Sequence, residues 1–113
     1  MTFACTHGGN SWHGTERELY GDGADAMAVL AATLPGMPLV YSGQESGFDR
    51  RLKFFDKDQI DWGNYRRAGF YRYLLRLRKQ HPALTASHEP GNLELIDTGN
   101  PKVFAFRRVA KGD

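Results

Sequence analysis

The sequence predicts an α/β chain, and three features carry that expectation. Strand-like and helix-like segments alternate over residues 1–84, an order that suits parallel βα units. Within them, Met37–Glu45 ("MPLVYSGQE") is apolar on consecutive positions, as in a strand buried on both faces of a parallel sheet. Near the C-terminus two alternating runs flank a turn-rich stretch, which reads as a β-hairpin laid on as a separate layer.

The elements follow in chain order. Met1–Cys5 reads as a short strand. Ser11–Gly21 is polar, carries Gly14 and Gly21, and reads as a loop. A helix comes next, with Asp22 as N-cap and Asp25 in the first turn, where negative charge is favourable. Met27, Leu30, Ala31 and Leu34 fall on one face, and Pro35-Gly36 ends the helix. After the Met37–Glu45 strand, residues 46–63 are irregular and dense in charge and aromatics, among them Phe48, Phe54, Phe55 and Trp62. A second helix is predicted over Asn64–Gln80, with Phe70, Leu74 and Leu77 as its apolar stripe and Pro82 as its stop. From Thr85 the character changes. Leu93–Ile96 and Val103–Arg107 alternate around "DTGNP", so the hairpin belongs to a second unit over 85–113, after a first over 1–84.

At 113 residues the chain suits one core and is too short for two independent ones. A formal net charge of +2 makes no bulk electrostatic case for nucleic acid or a membrane surface as partner. Arg72, Arg76 and Lys79 do form a basic stripe on the second helix, with Arg66, Arg67 and Arg78 elsewhere around it. Since 13 acidic residues offset the 15 basic ones, a solvated outer face explains the stripe more simply than a nucleic-acid contact. Cys5 is the single cysteine, so no intrachain disulfide and no cysteine-based metal site is expected, and a reducing compartment such as the cytoplasm fits. His7, His13, His81 and His88 include no i, i+4 pair on one helix, so no metal site is expected, and no cofactor is implied. His81 sits at a helix end, a structural placement; His13 and His88 read as loop residues. No apolar run approaches the roughly 20 residues that span a bilayer, and the first residues lack a basic start and long apolar region.

One stretch reads like chemistry with its reactive group missing. "FACTHGGNSW" (Phe3–Trp12) runs from a strand-like start into a His, two glycines, an Asn and an aromatic. That is the build of an active-site rim, with Gly8 and Gly9 where a carboxylate would be expected.

The chain resembles the end of an α-amylase-family glycoside hydrolase, in particular the oligo-1,6-glucosidase and α-glucosidase branch. The matching segments are "NSWHGTERELYGD" (Asn10–Asp22), "TLPGMPLVYSGQE" (Thr33–Glu45), "FFDKDQIDW" (Phe54–Trp62) and "LRKQHPAL" (Leu77–Leu84). The resemblance implies the last two βα units of a (β/α)8 barrel, followed by the first hairpin of a small C-terminal β domain. Such a piece is an incomplete barrel whose open edges favour rearrangement, strand swapping, self-association or union with the remainder of the barrel.

Function follows from the same resemblance. These enzymes act on α-glucans and α-glucosides with a nucleophile and a general acid, which the resemblance places upstream of Met1. A third carboxylate, in the family motif Asn-His-Asp, aligns with Thr6-His7-Gly8. His7 matches the histidine that contacts sugar at the point of cleavage, while Gly8 replaces the carboxylate. His7 is therefore the one expected substrate-binding residue, and no catalytic residue is expected. Taken outside a complete barrel, His7 reads as a surface histidine beside a glycine turn. Trp12 has the apolar face to stack on a sugar ring or to pack its own loop, with packing the expectation. Glu45 lies at the rim of the eighth strand, where barrel enzymes place function, but reads as a loop organiser. The chain alone is expected not to hydrolyse glucosides; the rival reading is a non-catalytic glucan-binding or self-assembling module.

Overall fold

The computed structural model describes residues 1–85 and 91–111. Helices form where local caps are available. The Thr6 hydroxyl accepts the Gly9 N–H at 3.1 Å, opening a turn that widens into a π-helical stretch over Gly9–His13. Next, Thr15 accepts the Glu18 N–H at 3.1 Å while the Glu18 carboxylate accepts the Thr15 N–H at 3.3 Å. This reciprocal box starts α1 (Glu16–Tyr20). The expected loop over Ser11–Gly21 is thus largely helical, because "TERE" satisfies the free amides that its polar composition seemed to leave to solvent.

A turn over Gly21–Gly23 leads into α2 (Ala24–Thr33), whose N-cap is Gly23 and not Asp22. Asp22 lies inside that turn, one position too early to cap. Asp25 does occupy the first turn of α2. The buried face of α2 is Ala28 and Ala32, whereas Met27 is exposed. The expected apolar face is rotated because α3 (Ala68–Gln80) packs against the small side chains. Ala28, Ala32, Tyr71 and Leu74 make the core cluster, with Phe70 packed on its edge. Helix α3 begins four residues later than expected from Asn64, since Gly63 and Tyr65 both adopt left-handed backbone (φ 50° and 54°). Its buried positions are Tyr71, Leu74 and Arg78, so the expected stripe of Phe70, Leu74 and Leu77 is centred on Leu74 but turned toward α2.

The two expected strands of the first unit touch at one point. The Thr2 N–H donates to Met37 O and the Leu39 N–H donates to Thr2 O, both at 2.8 Å, around a parallel bridge between Thr2 and Pro38. Proline brings no N–H, and among the described residues the ladder does not extend beyond this bridge. Met1–Cys5 and Met37–Glu45 are co-directional at the bridge, and the second ends in a 3-10 turn over Gln44–Ser46 instead of continuing as a strand. The expected hairpin forms, with its second strand starting at Ala105 instead of Val103. In it, β1 (Asn92–Ile96) pairs antiparallel with β2 (Ala105–Val109), setting Leu95 opposite Phe106 and Glu94 opposite Arg107.

Three arginines join these parts, two of which, Arg67 and Arg78, belong to the helix expected to present a solvated face. Arg67 donates to the Glu16 carboxylate at 3.0 Å, pairs with Asp25, and lies over the rings of Phe70 and Tyr71. Burial favours its neutral form, but the negative charges around it outweigh burial and hold its guanidinium firmly protonated. Glu16 is only 8% exposed and also accepts from the Gln44 amide at 3.1 Å, which in turn contacts the Tyr71 hydroxyl at 3.3 Å. Arg78, 7% exposed, donates to Ala32 O at 2.8 Å and to Gly36 O, closing the carbonyl end of α2. Arg108 of β2 donates to Thr33 O at 2.9 Å and to Gly91 O at 2.8 Å. By contrast, Arg72, Arg76 and Lys79 are exposed.

Replacing Glu16 with Ala should therefore destabilise the chain by about 2–3 kcal/mol, since Arg67 and Gln44 lose a buried partner while Asp25 remains. Urea unfolding followed by circular dichroism measures this, and Glu16→Gln should cost less because it keeps an acceptor for Gln44.

Candidate functional site

His7 stands at the start of the first helical turn, exposed, with its ring stacked on aromatic neighbours. Phe54 lies 4.8 Å away centroid to centroid and 13° from parallel, and Tyr41 lies 6.3 Å away at 21°. Trp12 meets Phe54 at 5.3 Å and Phe55 at 6.2 Å, and Phe54 meets Phe55 at 4.8 Å almost perpendicularly, at 83°. The geometry thus joins two expected positions, His7 and Trp12, through Phe54, which lies in the segment expected to be irregular. The available signal was two adjacent aromatics, Phe54-Phe55, within a charged stretch.

That segment is pinned from below. The Asn10 amide donates to Arg50 O at 3.1 Å and its oxygen accepts the Leu52 N–H at 2.6 Å, while the Ser11 hydroxyl donates to Leu52 O at 2.6 Å. Asn10 is buried, so these bonds form away from competing water. On the far side Arg50 grips Asp58 through both guanidinium nitrogens at 3.0 Å, and Asp58 also accepts the Lys53 N–H at 2.9 Å. The Arg50 contact, followed by the Lys53 and Gln59 amides, holds the Asp58 carboxyl well below the usual carboxylate range. Thr15 donates to Asp49, and Arg51 pairs with Glu18 at 2.9 Å, tying the same segment to α1.

Gly8 has right-handed helical backbone (φ −63°, ψ −44°), and a Cβ built there meets no atom within 4 Å. Neither the fold nor crowding demands a glycine at this position. At Gly9 a Cβ would lie 3.3 Å from the Thr6 hydroxyl, a tighter fit. The Glu45 carboxylate accepts the Gly43 N–H at 3.1 Å, so it serves its own turn. Gly43 itself holds φ 101° against Phe48 and Ile60, which confines this turn to glycine.

Cys5, buried behind His7, donates weakly to Thr6 O. Burial, reinforced by the Glu16 charge, pushes its thiol up to about 11. Such a thiol is protonated near neutrality and is a poor nucleophile. Among the described residues no group of three or more His, Cys, Asp or Glu is placed to hold a metal ion. Also among them, no helix is long and apolar enough to cross a membrane. His13 is exposed and His81 sits at the C-cap of α3; His88 lies outside the described residues.

Over 96 residues, 81% of its length, the chain is 31% identical to "Alpha-amylase MalA" of Haloarcula japonica. The chain is similar to part of an alpha-amylase. It spans 14% of that relative's length. No family model matches the chain, and no solved structure does.

Two outcomes follow from this geometry. Gly8→Asp should fold with stability within about 0.5 kcal/mol of the unaltered chain, because both backbone and space admit the side chain; thermal unfolding tests it. For Cys5 the sign is set by its raised value: stability from the protonated thiol is full below its ordinary 9.0 and is lost as pH climbs through about 11. Iodoacetamide at pH 8 should accordingly label the native thiol about 100-fold more slowly than the urea-unfolded one.

Proposed function

We propose that this chain corresponds to a sugar-contacting portion of an α-glucan- or α-glucoside-directed hydrolase barrel, of the oligo-1,6-glucosidase and α-glucosidase branch. Under this reading residues 1–84 correspond to the last two βα units of the barrel and 85–113 to the start of a β domain. The observation that carries it is the exposed His7, held against aromatic rings beside Gly8, in a chain similar to part of an alpha-amylase. An imidazole offers one donor and one acceptor to sugar hydroxyls, and the flanking rings supply an apolar wall.

The same residues argue against hydrolysis by the chain alone. Retaining cleavage of a glycosidic bond needs a nucleophilic carboxylate and a carboxylic acid about 5–5.5 Å apart. Gly8 carries no side-chain oxygen, and Glu45 is engaged with the Gly43 amide. A group with one job in its own turn does not supply two-carboxylate chemistry.

A second reading, a non-catalytic glucan-binding or self-assembling module, is favoured by apolar surface left open to water. Met1, Phe3 and Met37 are exposed beside the Thr2–Pro38 bridge. Such a rim suits contact with further copies of the chain or with neighbouring barrel strands.

Incubated with a chromogenic α-glucoside, the purified chain should give no turnover above an enzyme-free blank, and Gly8→Asp should give none either. Titrated with maltose or isomaltose, it should shift the His7 imidazole resonances, and His7→Ala should weaken binding about tenfold, as loss of a polar contact predicts. Turnover by the unaltered chain would refute the inactivity claim. A flat titration would remove the glucan contact.

A further inference from the structure

We propose that the hairpin is a self-association surface, with β1 pairing antiparallel to β1 of a second copy of the chain across a two-fold axis beside Leu95. The inference gives the self-assembling reading above a definite surface, and it does not draw on the glucan-contacting reading of His7.

The hairpin is held to the helical layer through β2. Its Arg108 bonds the carbonyl end of α2, and its Phe106 lines a cleft with Thr33, Leu77 and Leu84. By contrast, all five residues of β1 are exposed. Among the described residues the sheet has no third strand, so the outward N–H and C=O groups of β1 are open to another chain. A two-stranded hairpin is marginal by itself in water, and further strands sharing an apolar face strengthen it.

Sheet edges are commonly guarded by lysine, proline or a bulge. Over Asn92–Ile96 there is no lysine or proline, and the ladder to β2 runs without a bulge. Its single charge, Glu94, is already paired with Arg107 at 2.5 Å. Nothing on this edge repels a second copy.

Register follows from charge and alternation. A two-fold beside Glu94 would set two carboxylates directly opposite, which is destabilising. One beside Leu93 would spend Leu95 on Gly91. Placed beside Leu95, the axis sets Leu95 against Leu95, Glu94 against Ile96 and Leu93 against Asp97. Leu95 also faces Phe106 within its own hairpin, and Phe106 meets Phe104 at 5.5 Å. Phe106, Leu95, Leu95 and Phe106 then follow one another as a single apolar stripe across four strands. Pairing through β2 would instead gather Arg107 and Arg108 of both copies.

The available area suits such a dimer. Leu95 is 69% exposed and Phe104 is 63% exposed. The chain exposes 7910 Å² in all, where a compact monomer of its mass exposes about 6,200 Å². A standard interface takes about 800 Å² from each partner, so the surplus is enough for one.

The test is gel filtration with light scattering on the full chain, on Leu95→Lys and on two cysteine variants. The unaltered chain should run as a dimer at about 100 μM and dissociate on dilution, as befits a small interface. Leu95→Lys, at an exposed position, should keep the circular dichroism of the unaltered chain and weaken dimerisation at least about tenfold. Under copper–phenanthroline oxidation Leu95→Cys should cross-link into a dimer, since Cβ atoms opposed across antiparallel strands stand about 4.5–5.5 Å apart. Leu93→Cys should not, because the register sets it against Asp97. Cys5 is buried and stays out of the reaction. A dimer that Leu95→Lys leaves intact, or in which Leu95→Cys cross-links no better than Leu93→Cys, would overturn the hairpin interface and leave self-assembly standing. A monomer at about 100 μM would remove both, while the maltose titration decides the glucan reading separately.

Discussion

The structure depends on a carboxylate placed where a carboxylate is costly. Glu16 is nearly shut off from water, and its charge is tolerable only because Arg67 and Gln44 reach it from two other parts of the chain. Arg67 opens α3, Gln44 follows the Pro38 segment, and Glu16 opens α1, so one charge orders three elements at once. The core beneath is small, built on Ala28, Ala32, Tyr71 and Leu74. With so little apolar burial, directional contacts carry a large share of the specification. The Tyr71 hydroxyl contacts Gln44, and burial followed by the Glu16 charge pushes that phenol well above its ordinary range. A buried network of this kind favours one arrangement because each alternative strands a polar group.

That arrangement explains why the His7 surface is rigid without being buried. Asn10 and Thr15 are both buried in the layer below, and each reaches across to the segment carrying Phe54 and Phe55. The aromatic rings therefore rest on hydrogen bonds and not on an apolar core. Gly8 sits in the midst of this order with vacant space around its Cα. The absence of a carboxylate there is a property of the residue, not a concession to packing.

Much of this was legible in the residues, though unevenly. The two longer helices and the hairpin announce themselves through periodicity and turn residues. "TERE" also announced a helix start, but its glycine-flanked, polar setting read as loop. Ala28 and Ala32 were passed over because periodicity favours large side chains, whereas a close helix crossing selects small ones. Arg67 and Arg78 counted as surface charge, since no local pattern says that a guanidinium will meet a distant carboxylate or a helix end. The apolar run at Met37–Glu45 spoke for burial between sheet neighbours, and here it meets a single partner at Thr2. Of the site, His7 and Trp12 were visible from motif and composition. Their union through Phe54 was not, because it spans more than forty positions and depends on the Asn10 and Ser11 bonds.

The carbonyl end of α2 has a consequence of its own. Guanidinium groups from α3 and from the hairpin converge there on neighbouring peptide oxygens, Arg78 on Ala32 and Arg108 on Thr33. Burial, and then the nearby Arg108 charge, make the Arg78 cation easier to neutralise than usual. The two cations thus share the negative pole of one helix through separate oxygens while repelling each other, so the hairpin is fastened to the helical layer at a point of like charge.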